Sequence, residues 1–281
     1  MKTLGYYNGS FAEIEEMKIP MLDRGCYFGD GVYEATFARN YKIYALDEHV
    51  DRMYRSAAMV DINIPQTKAE MKAILNDMMS KMDSGDQFVY WQVTRGTAPR
   101  NHLYSHDMQG NLWIMLRPGG IPDIFKKIKL ITLEDTRYYH CNIKTLNLIP
   151  SVIAAEKAND AGCKESVLHR GERVTECAHA NVHIIKDGVF RTAPTDCLIL
   201  PGIARAHLIK AAHKLGIPVD ETAFTLDEMM DADEVFVSSS TALCMVADEI
   251  DGKRVGGKAT EIITALQNEV LNNYLNATEK D

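Results

Sequence analysis

Tyr139-His140-Cys141-Asn142-Ile143-Lys144-Thr145-Leu146-Asn147-Leu148 is the stretch on which the reading of this chain turns, taken with Arg173-Val174-Thr175-Glu176 further on. A lysine set among apolar and small polar neighbours can be held partly out of water. Its ammonium then loses a proton more easily, as a Schiff-base former requires. A carboxylate brought opposite can hold a pyridine nitrogen protonated, the arrangement by which pyridoxal phosphate works as an electron sink. Spacing alone leaves the alternative open, because most lysines are solvated surface charges and Thr-Glu pairs also start helices and edge strands.

Working outward, 281 residues suit two domains of ordinary size, and 46% hydrophobic with 25% charged residues describes a soluble globular chain. The formal charge of −8 is spread along the sequence with no basic stripe, which disfavours a nucleic-acid partner. An anionic substrate must then be captured by a few local cations against an acidic background. No apolar run approaches the roughly 18 residues of a membrane span, and no membrane association is expected. The opening Met1-Lys2-Thr3-Leu4-Gly5-Tyr6-Tyr7-Asn8-Gly9 lacks the apolar stretch of a signal peptide. Cys26, Cys141, Cys163, Cys177, Cys197 and Cys244 are scattered without a C-x-x-C pair. The expectation is free thiols in a reducing cytoplasm, with no zinc site or other metal.

Asn8-Gly9 suits a tight hairpin turn between strands at 4–8 and 11–14. A second strand pair is expected at 31–37 and 41–45, followed by amphipathic helices at 47–60 and 67–82. Residues 88–94 and 111–116 look like buried strands. Arg117-Pro118-Gly119-Gly120-Ile121-Pro122 breaks both periodicities and is the best linker. Beyond it, strands at 127–133, 165–169, 181–186 and 235–239 mix with helices at 149–161, 203–215 and 259–274. The result is an α+β chain with a first domain at 1–118, a linker at 119–122 and a second domain at 123–281.

Several short stretches, in this order, carry a resemblance to a known family. They are Asp23-Arg24-Gly25, Phe28-Gly29-Asp30-Gly31-Val32-Tyr33-Glu34, His49-Val50-Asp51-Arg52 and Val93-Thr94-Arg95-Gly96-Thr97-Ala98-Pro99-Arg100-Asn101-His102. Ile143-Lys144-Thr145-Leu146-Asn147, Val174-Thr175-Glu176, Pro201-Gly202-Ile203-Ala204-Arg205 and Ser238-Ser239-Ser240-Thr241 complete the set. Over nearly its whole length the chain resembles the class IV (fold type IV) pyridoxal-phosphate-dependent aminotransferases, and within them the D-amino-acid aminotransferases. The resemblance implies a small N-terminal α/β domain, a larger C-terminal domain with a mixed, barrel-like sheet, and the cofactor at the domain interface.

Residue roles follow from the same resemblance. Lys144 is the Schiff-base lysine and the general base at the substrate α-carbon, and Glu176 keeps the pyridine nitrogen protonated. Arg52, Ile203, Ala204, Ser239 and Ser240 meet the phosphate, and Leu200 packs on the ring. Chemically, a guanidinium fork and a helix N-terminus both suit that anion. Tyr33, Arg100 and His102 are implied to hold the substrate α-carboxylate, the last two reaching into a neighbouring subunit, hence a homodimer. Taken singly, Pro201-Gly202-Ile203 is also an ordinary helix start, Ser238-Ser239-Ser240 a polar loop, and Arg100 and His102 solvated loop residues. The implied reaction is ping-pong transfer between a D-amino acid, such as D-alanine or D-glutamate, and a 2-oxo acid such as 2-oxoglutarate.

Departures from the family pattern also stand out. Cys177-Ala178-His179-Ala180-Asn181 stands where glycine and serines are usual, and His179 is expected as a structural imidazole bonded to a neighbour, the alternative being an approach to the substrate pocket or cofactor that alters specificity. Phe37 stands where a long polar residue is common, which makes the side-chain pocket more apolar. Tyr90 and Tyr138 are candidate pocket walls. A branched-chain L-amino-acid aminotransferase or an aminodeoxychorismate lyase of the same fold remains the alternative; Arg100 and His102 weigh against the first.

Overall fold

In a computed structural model, residues 3–280 are described; Met1, Lys2 and Asp281, at the ends of the two expected domains, lie outside the described residues. The chain forms two compact units, one of Met1–Gly120, Ile143–Asn147 and Tyr274–Asp281, the other of Ile121–Asn142 and Leu148–Asn273. The fold is α+β, with helices set on one antiparallel and one mixed sheet.

The first unit contains β1 (Leu4–Tyr7), β2 (Ser10–Ala12), α1 (Arg24–Phe28), β3 (Gly31–Arg39) and β4 (Lys42–Ile43). It continues with α2 (Leu46–Met59), α3 (Lys68–Ser80), β5 (Gln87–Thr94) and β6 (Asn111–Pro118). The strands form one antiparallel sheet in the order β2-β1-β6-β5-β3-β4. Thr67 and Glu70 close a reciprocal capping box at the start of α3. Met53, Met71, Leu75, Met78, Met79, Trp91, Leu112 and Ile114 belong to the unit's buried core. Each contributes about 1.5–3 kcal/mol by leaving water.

β3 alternates with period two. Val32, Glu34, Thr36 and Ala38 are buried on one face, while Tyr33, Ala35 and Phe37 occupy the other. β4 pairs only with Ala38 and Arg39, so the edge of β3 at its start is open to another partner. The segment Ile143–Asn147 fills it. Tyr33 N–H donates to Lys144 O (3.0 Å), and Leu146 N–H donates to Gly31 O (3.0 Å). A side chain at Gly31 would meet Leu146 at 2.6 Å and Val93 O at 2.9 Å, so this close approach requires glycine.

The second unit runs β7 (Ile128–Glu134), α4 (Ile149–Asp160), β8 (Glu165–Arg170), β9 (Arg173–Cys177), β10 (Asn181–Lys186), β11 (Val189–Thr192) and α5 (Ile203–Lys214). β12 (Val219–Asp220), α6 (Leu226–Met230), β13 (Glu234–Ser238), β14 (Met245–Ile250), β15 (Lys253–Arg254) and α7 (Thr260–Ala277) follow, with α7 grouped in the first unit from Tyr274. The mixed sheet runs β12-β11-β10-β13-β14-β7-β8-β9, with β15 on β14. β9 ends that path yet turns directly into β10 near its other end, with Cys177 N–H bonded to Ala180 O (2.7 Å). The sheet therefore curls back on itself, as the expected barrel-like core requires.

Strands β9, β11 and β14 and helices α1 and α6 carry no clear periodicity in the sequence. In β14, Asp248 and Glu249 interrupt the apolar run, and α1 and α6 are only five residues each.

Candidate active site

The lysine singled out by its motif stands in the first unit beside β3. Lys144 N–H lies 3.3 Å from Ser56 Oγ on α2, and its Nζ sits 4.3 Å from the centroid of the Tyr33 ring. Tyr33 stacks on Tyr90 (5.5 Å between centroids), whose hydroxyl donates to Gln92 Oε1 (2.8 Å). Farther along the same face, Phe37 packs edge-on against Phe88. Lys144, Tyr33, Tyr90 and Phe37 thus line one side of β3 and its neighbour.

The opposite face of β3 carries charge. Glu34 accepts from Arg52 Nε at 2.8 Å and Nη2 at 2.6 Å, and its Oε2 lies 2.6 Å from His49 Nδ1, with all three side chains buried. Burial alone would raise the Glu34 carboxyl, but the charge and hydrogen bonds of Arg52, then those of His49, outweigh it and hold it at about 2. Arg52 is therefore fixed in orientation and neutralised in part by a permanently ionised carboxylate. The motif identified Arg52; Glu34 and His49 are the partners that orient it.

Arg100 and His102 are exposed on the loop after β5. Arg100 lies over the Phe28 ring (5.0 Å), and the His102 ring stands 5.1 Å from the same phenylalanine. Arg24 of the Asp23-Arg24-Gly25 motif anchors that loop. Its Nη1 donates to Asn101 O (2.6 Å) while its Nε donates to Asp30 (2.8 Å). The loop thus presents two adjacent hydrogen-bonding groups from a braced support.

In the second unit, Glu176 is buried at the end of β9. Arg137 Nη1 donates to its Oε1, while Asn181 Nδ2 (2.9 Å) and Leu200 N–H (3.1 Å) donate to Oε2. Arg137 is itself gripped by Asp135 through Nε and Nη2 (3.0 Å each) and by Leu198 O (3.1 Å). Burial opposes its charge, yet Glu176 and Asp135 together raise its pKa above the usual arginine value. These donors to both oxygens suit an ionised carboxylate, the form that pairs with a protonated pyridine nitrogen. Arg137 and Asp135 were not singled out from the sequence, and Asn181 entered only as the end of the stretch that departs from the family pattern.

Leu200 leads by two residues into Gly202, the N-cap of α5, whose first turn bears Ile203 and Ala204. Glycine brings no side chain to compete for those amide hydrogens, and no acidic residue occupies the first turn. A Cβ at Gly202 would fall 2.1 Å from Asn181 Oδ1, so the backbone must approach closely there. Asn181 consequently touches both the Glu176 carboxylate and the start of α5. Ser239 Oγ lies 3.2 Å from Thr241 Oγ1 just beyond β13. An ionised carboxylate, an apolar leucine and an uncapped helix N-terminus along one short path fit a ring nitrogen, a ring face and a phosphate.

His179 is paired through Nδ1 with buried Glu165, the neighbour that a structural imidazole would need. Tyr138 is exposed. The six cysteines are free, and no grouping of His, Cys, Asp and Glu suited to a metal occurs among the described residues. No helix among the described residues is long and apolar enough to cross a membrane.

Residues 31–250 match the family described as amino-transferase class IV. The chain belongs to the class IV aminotransferases. It is 43% identical over 263 residues to a D-alanine aminotransferase of Listeria monocytogenes serotype 4b, covering 92% of this chain and 91% of that one. A D-alanine aminotransferase of Bacillus licheniformis is 37% identical over 278 residues, covering 96% and 98%. In fold, this class IV aminotransferase matches the branched-chain amino acid aminotransferase of Escherichia coli with a TM-score of 0.90 at 22% identity, covering 99% and 96%. Class IV aminotransferases depend on pyridoxal phosphate, and the donor set of Glu176, Leu200 and α5 suits that cofactor.

Proposed function

We propose that the protein transfers the amino group of a D-amino acid, such as D-alanine or D-glutamate, to a 2-oxo acid such as 2-oxoglutarate. The observation that carries this reading is the pairing of Arg100 and His102 on one loop braced by Arg24. A guanidinium and an imidazole side by side, with the Tyr33 phenol, give a substrate carboxylate one preferred seat. That seat determines which α-hydrogen faces the lysine. Likeness in sequence to proteins named D-alanine aminotransferase supports the same handedness.

When bound, pyridoxal phosphate supplies an aldehyde carbon that condenses with amines and a ring that accepts the electron pair of a broken bond. Lys144 would hold the cofactor through Nζ, and the same nitrogen would act as general base toward the substrate α-proton. Glu176, which accepts from Arg137, Asn181 and the Leu200 amide, would face the ring nitrogen. Ile203 and Ala204 backbone amides, Ser239, Ser240 and Arg52 would hold the phosphate, and Leu200 would pack on the ring. Tyr33, with Arg100 and His102 of a second copy, orients the substrate carboxylate, and two half-reactions on one site give ping-pong kinetics.

Exposed apolar residues at the start of α4 support a homodimer: Ile149 is 73% and Val152 64% exposed, with Ile153 and Leu148 beside them. A second reading, transamination of branched-chain L-amino acids, draws on the likeness in fold and on the apolar Phe37–Phe88 wall. Adding D-alanine, D-glutamate, L-leucine and aminodeoxychorismate separately to the purified protein distinguishes the readings. Conversion of the aldehyde cofactor to its amine form is followed by absorbance. The D-amino acids are expected to convert it fastest; faster conversion by L-leucine, or pyruvate release from aminodeoxychorismate, would overturn the proposal.

A further inference from the structure

His183 lies in the middle of β10, fully buried, and takes no part in the chemistry above. Its ring is surrounded by Phe190 and Phe236, with centroids 5.4 and 5.1 Å away. Water therefore cannot readily replace a hydrogen bond it loses. Both ring nitrogens are used: Nδ1 lies 2.9 Å from Thr192 Oγ1 on β11, and Nε2 lies 2.8 Å from Ser238 Oγ at the end of β13. Thr192 Oγ1 also accepts from Arg205 Nε (3.1 Å), and Arg205 is the third residue of α5.

The four side chains form a continuous buried path, Arg205 to Thr192 to His183 to Ser238. One end lies in the first turn of α5, beside Ile203 and Ala204. The other immediately precedes Ser239 and Ser240. Arg205 can only donate, so Thr192 Oγ1 accepts from it, and each ring nitrogen of His183 meets a hydroxyl that can serve as donor or acceptor. Burial, then the nearby Arg205 charge, lowers the imidazole's pKa well below the ordinary value, so the ring stays neutral.

We propose that His183 is a positioning residue that ties the N-terminus of α5 to the end of β13, holding the two sets of phosphate donors at a fixed separation before the cofactor arrives. The proposal rests on the assignment of Ile203, Ala204, Ser239 and Ser240 to the cofactor phosphate. A phosphate bound by rigid donors incurs less ordering cost than one that must gather them. The benefit falls on the phosphate alone, so the ring and aldehyde of the cofactor should not depend on it.

The test compares His183→Phe, which fills the space but makes neither bond, with Ser238→Ala, which removes the last link and one oxygen. Full-length protein is stripped of cofactor, and its affinities for pyridoxal phosphate and for pyridoxal, which lacks the phosphate, are measured by absorbance titration. Circular-dichroism melting establishes that each apo-protein is folded. Wild type is expected to prefer pyridoxal phosphate strongly, and each folded variant to lose about tenfold of that preference, the worth of roughly one net hydrogen bond. Its affinity for pyridoxal should stay unchanged. Should His183→Phe fail to fold, Ser238→Ala decides the matter. An unchanged preference, or equal weakening toward both ligands, would overturn His183's role. A wild type that binds both ligands equally would instead remove the phosphate assignment beneath it.

Discussion

Replacing Arg137 with methionine tests the support of Glu176 directly. The guanidinium and the Glu176 carboxylate are only 11% and 7% exposed, and the Asp135 side chain is fully buried. Methionine keeps much of the stem volume but leaves two buried carboxylates facing the space of a lost cation. Removing one partner of a buried ion pair costs about 3–5 kcal/mol. At roughly 2–4 °C per kcal/mol for a chain near this size, the melting temperature should fall by about 6–20 °C. Asp135 retains Arg170 Nε (3.2 Å) and Thr175 Oγ1 (3.0 Å), which places the expected value toward the lower half of that range. Glu176 retains Asn181 and the Leu200 amide but loses a charge-assisted bond worth about 1.5–3 kcal/mol. The half-reaction with D-alanine should therefore slow by roughly 10- to 150-fold at saturating cofactor, if that bond is what steadies the carboxylate against the ring nitrogen. Differential scanning calorimetry and stopped-flow absorbance give the two numbers on one preparation. A variant melting within about 2 °C of wild type and reacting at the same rate would refute the argument.

Lys144→Ala should lose transamination by at least about 100-fold, the contribution of a positioned general base alone. Borohydride reduction followed by digestion should add pyridoxyl mass to the residue-144 peptide of wild type only. In Glu34, a carboxyl held at about 2 against an ordinary 4.5 contributes about 3 kcal/mol of stability above pH 4.5, lost as pH falls toward 2. Urea unfolding across pH 2–7 should show that slope in wild type and a flatter one in Glu34→Gln. Arg100→Met should raise KM for D-alanine about tenfold or more while cofactor affinity stays unchanged, as loss of a carboxylate clamp requires. Ile149→Lys combined with Val152→Lys should convert the proposed dimer to monomers in sedimentation velocity, and an unchanged sedimentation coefficient would take α4 out of the proposed interface.

Much of this arrangement was legible in the linear pattern, and what escaped has a common cause. Helix α3 was visible because Thr67 and Glu70 signal their own capping box. Helix α5 was visible because Pro201-Gly202 stops the preceding chain before an amphipathic run. Lys144 and Glu176 are marked by their motifs. Arg137 is not, because its role is created when the ends of β7 and β9 and the segment around Leu198 meet. No local feature distinguishes it from Arg170 or Arg173. Asn181 is similarly unremarkable until its Oδ1 is found against Gly202 and its Nδ2 against Glu176. The return of Ile143–Asn147 to the edge of β3 depends on glycine at position 31, whose demand for a close neighbour is invisible until that neighbour is known. Glu34 had a readable signal: alternation puts it on the face opposite Tyr33, and a carboxylate on the buried face of a strand must find cations.

That alternation also explains how one strand serves two purposes without conflict. On β3, Tyr33 and Phe37 stand on the face shared with Tyr90 and Phe88, where side-chain size and polarity can vary. Glu34, one residue away, faces a buried pair of cations that tolerates no such variation, because every charge there is partnered inside the protein. A one-residue register slip would exchange the two faces, burying phenol and exposing carboxylate. Eight paired residues with β5 and the added segment at 144–146 oppose that slip from both edges. The residue at position 37 can therefore change while the orientation of Arg52 is preserved. On the proposed reading, the departure of Phe37 from the polar residue common in similar enzymes changes the pocket lining on one side of the strand alone.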